Sequence, residues 1–157
     1  MRVAAIDYGR RRIGLAICDP LGITVRGLKT VERGGDAEQA VRAVAKQLQE
    51  EEAEKVLIGL PLHASGEESD MSREARAFGA RLAEVLGPPL AEGLEYVDET
   101  LTTWEAEEAI RERGIPLRKA KKEGLLDQEA ARCLLRAWLR EREKPGSEPG
   151  PAADPAV

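Results

Sequence analysis

Residues 2–18 read RVAAIDYGRRRIGLAIC, and the reading of the fold starts from them. Val3 to Ile6 is a bare apolar run that stops at Asp7-Tyr8-Gly9. Runs of this kind are typical of central strands covered on both faces. After three arginines, Ile13, Leu15 and Ile17 recur at every second position with Gly14, Ala16 and Cys18 between them, which predicts a second strand. Asp19-Pro20-Leu21-Gly22 is a turn signal. Ile23, Val25 and Gly27 then alternate with Thr24, Arg26 and Leu28 in a third strand. Short turns between three such segments imply an antiparallel meander.

The pattern changes after Gly34-Gly35-Asp36. Asp36 is a good helix N-cap. Ala37, Ala40, Val41, Val44, Ala45 and Leu48 follow at helical spacing, with charged residues opposite. Val56 to Leu60 is a second bare apolar run and reads as a buried strand. A polar loop from Leu62 to Ser69 leads to a helix carrying Met71, Ala75, Phe78, Leu82 and Val85, stopped by Gly87-Pro88-Pro89. Leu94 to Val97 predicts a fifth strand that ends at Asp98-Glu99. Thr102-Thr103-Trp104-Glu105 fits a capping box, so a helix starts there, and Gly114 ends it. Arg118 to Gly124 reads as a basic connecting segment. The last helix starts near Asp127 with Ala130, Ala131, Leu134, Leu135 and Trp138 on one face. The sum is an α/β fold: a mixed five-stranded sheet, antiparallel meander plus parallel strands, flanked by helices. One domain over residues 1–142 is expected, followed by a disordered Pro/Gly-rich tail over 143–157.

The bulk composition fits this. The chain has 157 residues, 42% hydrophobic and 34% charged, enough for a core without disulfides or structural zinc. No apolar run approaches the ~20 residues of a membrane span, and the opening is too short for a signal peptide, so a cytoplasmic protein with no membrane contact is expected. Cys18 and Cys133 lie in apolar segments and read as buried free thiols. His63 is the one histidine, which leaves little for histidine-based zinc sites or a Ser-His triad. The absence of Asn beside abundant Glu and Arg suggests a thermophilic source.

The acids carry the chemistry. Asp7 ends the first strand, at the sheet edge where ligands collect in α/β folds. Asp98 and Glu99 end the fifth. Alternation puts Asp98 on the face of Leu94 and Tyr96, and Glu99 on the face of Val97. Asp127 shares the apolar stripe of the last helix, where a carboxylate is costly unless compensated. A turn-forming Asp7 and a helix-capping Asp127 are the plainer readings. Together these acids suit a hard oxygen site for Mg²⁺ or Mn²⁺, with two ions supporting phosphodiester cleavage. Net charge is −5, but Arg10-Arg11-Arg12 and Lys119, Lys121 and Lys122 flank the acids in sequence. They are the candidate substrate-binding rim.

Four ordered blocks carry a resemblance: Ile6-Asp7-Tyr8-Gly9-Arg10-Arg11-Arg12-Ile13-Gly14-Leu15-Ala16 with Asp19-Pro20; Ile58-Gly59-Leu60-Pro61; Val97-Asp98-Glu99-Thr100-Leu101-Thr102-Thr103; and Asp127-Gln128-Glu129-Ala130-Ala131. Spanning Met1 to about Leu139, they resemble the YqgF/RuvX family, described as Holliday junction resolvases and as nucleases of ribosomal small-subunit RNA maturation. The resemblance implies an RNase H-like fold with site acids at Asp7, at Asp98 or Glu99, and at Asp127. The metal ligands would be Asp7, Glu99 and Asp127. It also implies a nucleic-acid partner, precursor rRNA or branched DNA, and a monomer or homodimer. The family usually carries Arg where this chain has Thr100. Resolvases of the RuvC type carry their second acid on the strand matching Val56 to Leu60, which here has no carboxylate. Two other classes share some of these features: sugar-kinase and actin-like ATPases, which close two such domains over ATP, and a binding module that no longer cuts.

Overall fold

The computed structural model describes residues 1–61, 69–98 and 102–143. Residues 62–68, where the polar loop with His63 is expected, and 144–157, where the disordered tail is expected, lie outside the described residues, as do Glu99 and Thr100.

The opening run forms β1 (Val3–Tyr8), antiparallel to β2 (Arg12–Cys18), with Asp7 opposite Gly14. β2 continues to β3 (Val25–Gly27) as the meander predicts. β3 is shorter than the alternation of residues 23–28 suggests. The Asp19 carboxylate accepts the backbone N–H groups of Ile23 and Thr24 and the Thr24 hydroxyl, which holds those residues in the turn and leaves Ile23 exposed. A further strand, β4 (Val31–Glu32), pairs with the start of β2, so among the described residues the sheet has six strands and not five. Two residues carry no period of their own, and pairing with Arg12 and Ile13 alone makes them a strand. β5 (Lys55–Leu60) lies parallel to β1 on its other side, and β6 (Leu94–Asp98) lies parallel to β5.

Among the described residues, five α-helices cover the sheet. α1 (Ala37–Glu50) is capped by Asp36, which accepts the N–H groups of Glu38 and Gln39. α2 is Asp70–Leu86, and α3 is Thr102–Glu112, followed by Gly114 at φ +74. The basic connector is itself a helix, α4 (Leu117–Glu123). Its pattern is hidden because only Ala120 is buried, while Arg118, Lys119, Lys121 and Lys122 face water. α5 (Leu125–Glu143) starts two residues before Asp127.

Strand alternation sorts the core into two layers. Ile6, Ile13, Leu15, Ile17 and Ile58 pack with Val41, Val44 and Leu48 of α1 and with Phe78 and Leu82 of α2. On the other face Val3, Ala5, Ala16, Cys18 and Leu57 pack with Ala131, Leu134 and Leu135 of α5. Both cysteines are buried and free. Burial first, then Glu129 and Glu105, push the Cys133 thiol up to about 11, so it stays protonated and inert.

Candidate metal and nucleic-acid site

Asp7 belongs to the α5 face of β1. Its neighbours along the strand alternate: Ala4, Ile6 and Tyr8 enter the α1/α2 layer, while Val3 and Ala5 enter the α5 layer. The same rule assigns Gly14, its cross-strand partner, to the α5 face. Here the absence of a side chain decides the geometry. A Cβ on Gly14 would lie 1.9 Å from the Asp127 carbonyl oxygen. The main chain of α5 therefore rests directly on β2 opposite Asp7. Gly9 lies beside the same contact: its N–H donates to the Arg12 carbonyl at 3.0 Å, and a Cβ there would stand 4.0 Å from Asp127 Oδ1. The sheet end that carries Asp7 and the first turn of α5 that carries Asp127 are thus brought together.

Asp127 does not occupy the N-cap position, because the helix begins at Leu125. Burial raises its pKa above the usual carboxylate range. The Arg12 guanidinium and Asp127's own backbone N–H oppose that rise, and Glu32 adds to it. A half-buried carboxylate whose charge is disfavoured is a fitting ligand for a hard cation.

Asp98 ends β6 at the level of Leu60 and is exposed. Leu94 and Tyr96 of the same strand pack into the α1/α2 layer, and Val97 into the α5 layer. By that alternation Asp98 belongs to the face away from Asp7 and Asp127. Glu99, the alternative second acid, lies outside the described residues. Among the described residues no group of three or more Asp, Glu, His or Cys side chains is close enough to hold a metal ion.

The three arginines diverge. The Arg10 Nε donates to the sulfur of Met71 at 3.2 Å, on the α2 side, and Arg11 is exposed. Arg12 turns toward α4: its Nε donates to Glu32 at 3.0 Å and its Nη2 to the Lys122 carbonyl at 3.2 Å. On α4, Lys119 and Lys122 join Arg118, Pro116 and Glu123 in lining an open groove of about 640 Å³. Lys121 is exposed on the same helix but is not part of that lining. The two basic segments thus meet beside Asp127 through Arg12.

Several positioning contacts carry no signal in the sequence. Gln128 Nε2 donates to the Leu28 carbonyl at 2.8 Å, and Thr30 Oγ1 to the Gly124 carbonyl at 2.8 Å. Glu129 is buried beneath Arg132 and Arg136, at 2.7 and 3.3 Å. Only Gly14 could have been suspected, as a gap in an otherwise apolar strand.

Residues 1–141 match the family described as RuvX, Holliday junction resolvase. The chain belongs to the RuvX family. A relative from Anaeromyxobacter dehalogenans strain 2CP-C is 40% identical over 142 residues, covering 90% of this chain and 98% of its own. One from Synechococcus elongatus is 41% identical over 142 residues, covering 89% of each. Both are named "Putative pre-16S rRNA nuclease". Nuclease action is the activity class of this RuvX-family chain as well. Among solved structures, Thermus thermophilus RuvC bound to a Holliday junction substrate aligns over 90% of this chain and 96% of its own, with a TM-score of 0.55 at 17% identity. Another structure of that RuvC gives a TM-score of 0.54 at 20% identity. At that identity the likeness speaks for the fold, which is RNase H-like. No helix among the described residues is long and apolar enough to cross a membrane.

Proposed function

We propose that this RuvX-family chain is a metal-dependent nuclease of structured nucleic acid, acting in the cytoplasm on precursor 16S ribosomal RNA. The observation that carries the reading is the seating of the Asp127 main chain on Gly14, directly across the strand pair from Asp7. That seating puts the backbone of α5 at Asp127 beside the strand pair that carries Asp7, which supports reading the two acids as one site. The partial burial that disfavours the Asp127 charge supports a cation beside it. Asp7 and Asp127 would hold Mg²⁺ or Mn²⁺, with Glu99, the acid that follows Asp98 in sequence, as the third ligand that the family resemblance implies. Two such ions, when bound, would supply Lewis-acid stabilisation of the charge that develops in phosphodiester cleavage.

The chain's own residues do the rest. Arg10 and Arg11, which follow Asp7, and Lys119 and Lys122, which precede Asp127, would draw a polyanion to an acidic protein of net charge −5. Preference for ribosomal precursor over branched DNA rests on the names of the Anaeromyxobacter and Synechococcus relatives.

The deciding experiment incubates the protein with precursor 16S rRNA and with four-way DNA junctions, with Mg²⁺, with Mn²⁺ and with chelator. Metal-dependent cutting of the RNA is expected. Cutting confined to junctions would move the substrate to branched DNA. Tight binding with no cutting in any metal would make the chain a binding module.

A further inference from the structure

Arg12 sits in the basic cluster that the sequence marks as a phosphate-binding rim, yet its guanidinium already has partners inside the protein. We infer that Arg12 is a positioning residue: it docks the basic helix α4 and the Asp127 turn on the sheet, and it does not serve as a phosphate ligand. The inference rests on the nuclease reading of Asp127.

The side chain of Arg12 is 24% exposed and reaches two acceptors, Glu32 Oε1 at 3.0 Å and the Lys122 carbonyl at 3.2 Å. Lys122 stands in the last turn of α4, where helix carbonyls lack partners within the helix. A charge-assisted bond there satisfies one of them and suits the negative end of the helix. Thr30 Oγ1 caps the Gly124 carbonyl just beyond, and Gln128 Nε2 reaches back to the Leu28 carbonyl. These bonds hold one corner, residues 122–128, against β2 and the residues between β3 and β4. Asp127 lies within that corner, and its main chain lands on Gly14, two residues past Arg12. A planar guanidinium forked between two acceptors fixes direction in a way that a lysine ammonium does not.

The test uses Arg12→Gln, Arg12→Lys and Thr30→Val in the full chain. Binding of a labelled four-way junction and a labelled precursor rRNA fragment is measured without divalent metal across about 50–200 mM salt, where phosphate contacts show. Arg12→Gln should keep the wild-type salt slope, because the exposed α4 lysines still meet phosphates, and lose at most a little affinity as α4 loosens, whereas removing a phosphate ligand makes the slope shallower by about one unit. Its cleavage rate at saturating substrate should fall about tenfold or more, since small misplacements of a site are costly. Amide exchange over residues 117–128 should speed up. Arg12→Lys should fail to restore the rate, and Thr30→Val should repeat the exchange and rate effects more weakly with an unchanged slope. A slope shallower by about one unit in Arg12→Gln, or full rate in Arg12→Lys, overturns the inference. If Arg12→Gln does not fold, Thr30→Val decides: wild-type exchange and rate there overturn it. A wild-type protein that cuts nothing would sink the nuclease reading instead, while the slope and exchange measurements still judge Arg12.

Discussion

The two faces of the sheet are built on opposite principles. Toward α1 and α2 the central strands present Ile6, Ile13, Leu15, Ile17 and Ile58, all buried, and the helices stand off on large side chains. Toward α5 the same strands present Ala5, Gly14 and Ala16, and the helix main chain comes down into contact. The first face stores stability through apolar area removed from water. The second gives up side-chain volume, and the backbone of α5 at Asp127 settles on β2 across from Asp7. One strand pair therefore serves both, through alternation alone.

The largest effects are expected at the acids of the α5 face. Asp7→Asn should lower cleavage by more than ~100-fold, beyond what removing an outer partner of a metal site costs, while the protein stays folded. Asp127→Asn should match it. Full activity in either folded variant, measured by turnover on the preferred substrate, would remove the α5 face from the chemistry.

The next contrast sets one face against the other. Gly14→Ala forces a Cβ to within 1.9 Å of the Asp127 carbonyl, so α5 must shift. Activity should collapse, and stability should drop by about 1–3 kcal/mol, as for an overpacked core. Leu82→Ala empties the other layer. It should cost about 2–5 kcal/mol by denaturant melts and leave turnover per folded molecule near wild type. Equal losses of turnover in the two variants would mean that the layers are not functionally separate.

A smaller effect concerns pH. In the folded protein the Asp127 pKa is raised, chiefly by burial, so the folded state favours its neutral form. Its favourable contribution is present below the unfolded carboxylate pKa and is lost as pH rises through the raised folded value. In metal-free protein, Asp127→Asn should therefore melt higher than wild type at pH 7, and the advantage should vanish as the pH falls below the carboxylate range. A variant that melts lower at both pH values would show that the carboxylate's hydrogen bonding outweighs its desolvation.

The smallest expected change is in the salt dependence of binding. Replacing Lys119 and Lys122, which line the groove, with Gln should weaken binding and make the salt slope shallower, by about one unit for each phosphate no longer neutralised. Lys121→Gln should do less, since that residue stands outside the lining. Identical slopes for Lys121 and Lys122 variants, from fluorescence titrations, would spread the binding surface over the whole helix.

Some of the site is legible in the sequence. Asp7 follows a bare apolar run, so its place at a strand end is evident, and its alternation can be counted. Asp127 stands out because a carboxylate shares a stripe with Ala131, Leu134 and Trp138. The family blocks tie the two together. Arg12 is misleading, since three adjacent arginines look alike in a chain but point to α2, to solvent and to α4 in space. Helix α4 is hidden by its charges, and β4 by its length.

The amino-acid order by itself determined the elements whose period is long and whose buried face is apolar: β1, β2, β5, α1, α2 and α5, and with them the α/β class. Those signals are local, because each depends on which side of one strand or helix must leave water. The distance between elements was left to long-range packing. Gly14 says nothing in sequence about Asp127, more than a hundred residues away. They meet because a missing Cβ lets one backbone settle on another, and that can be seen only once both are placed.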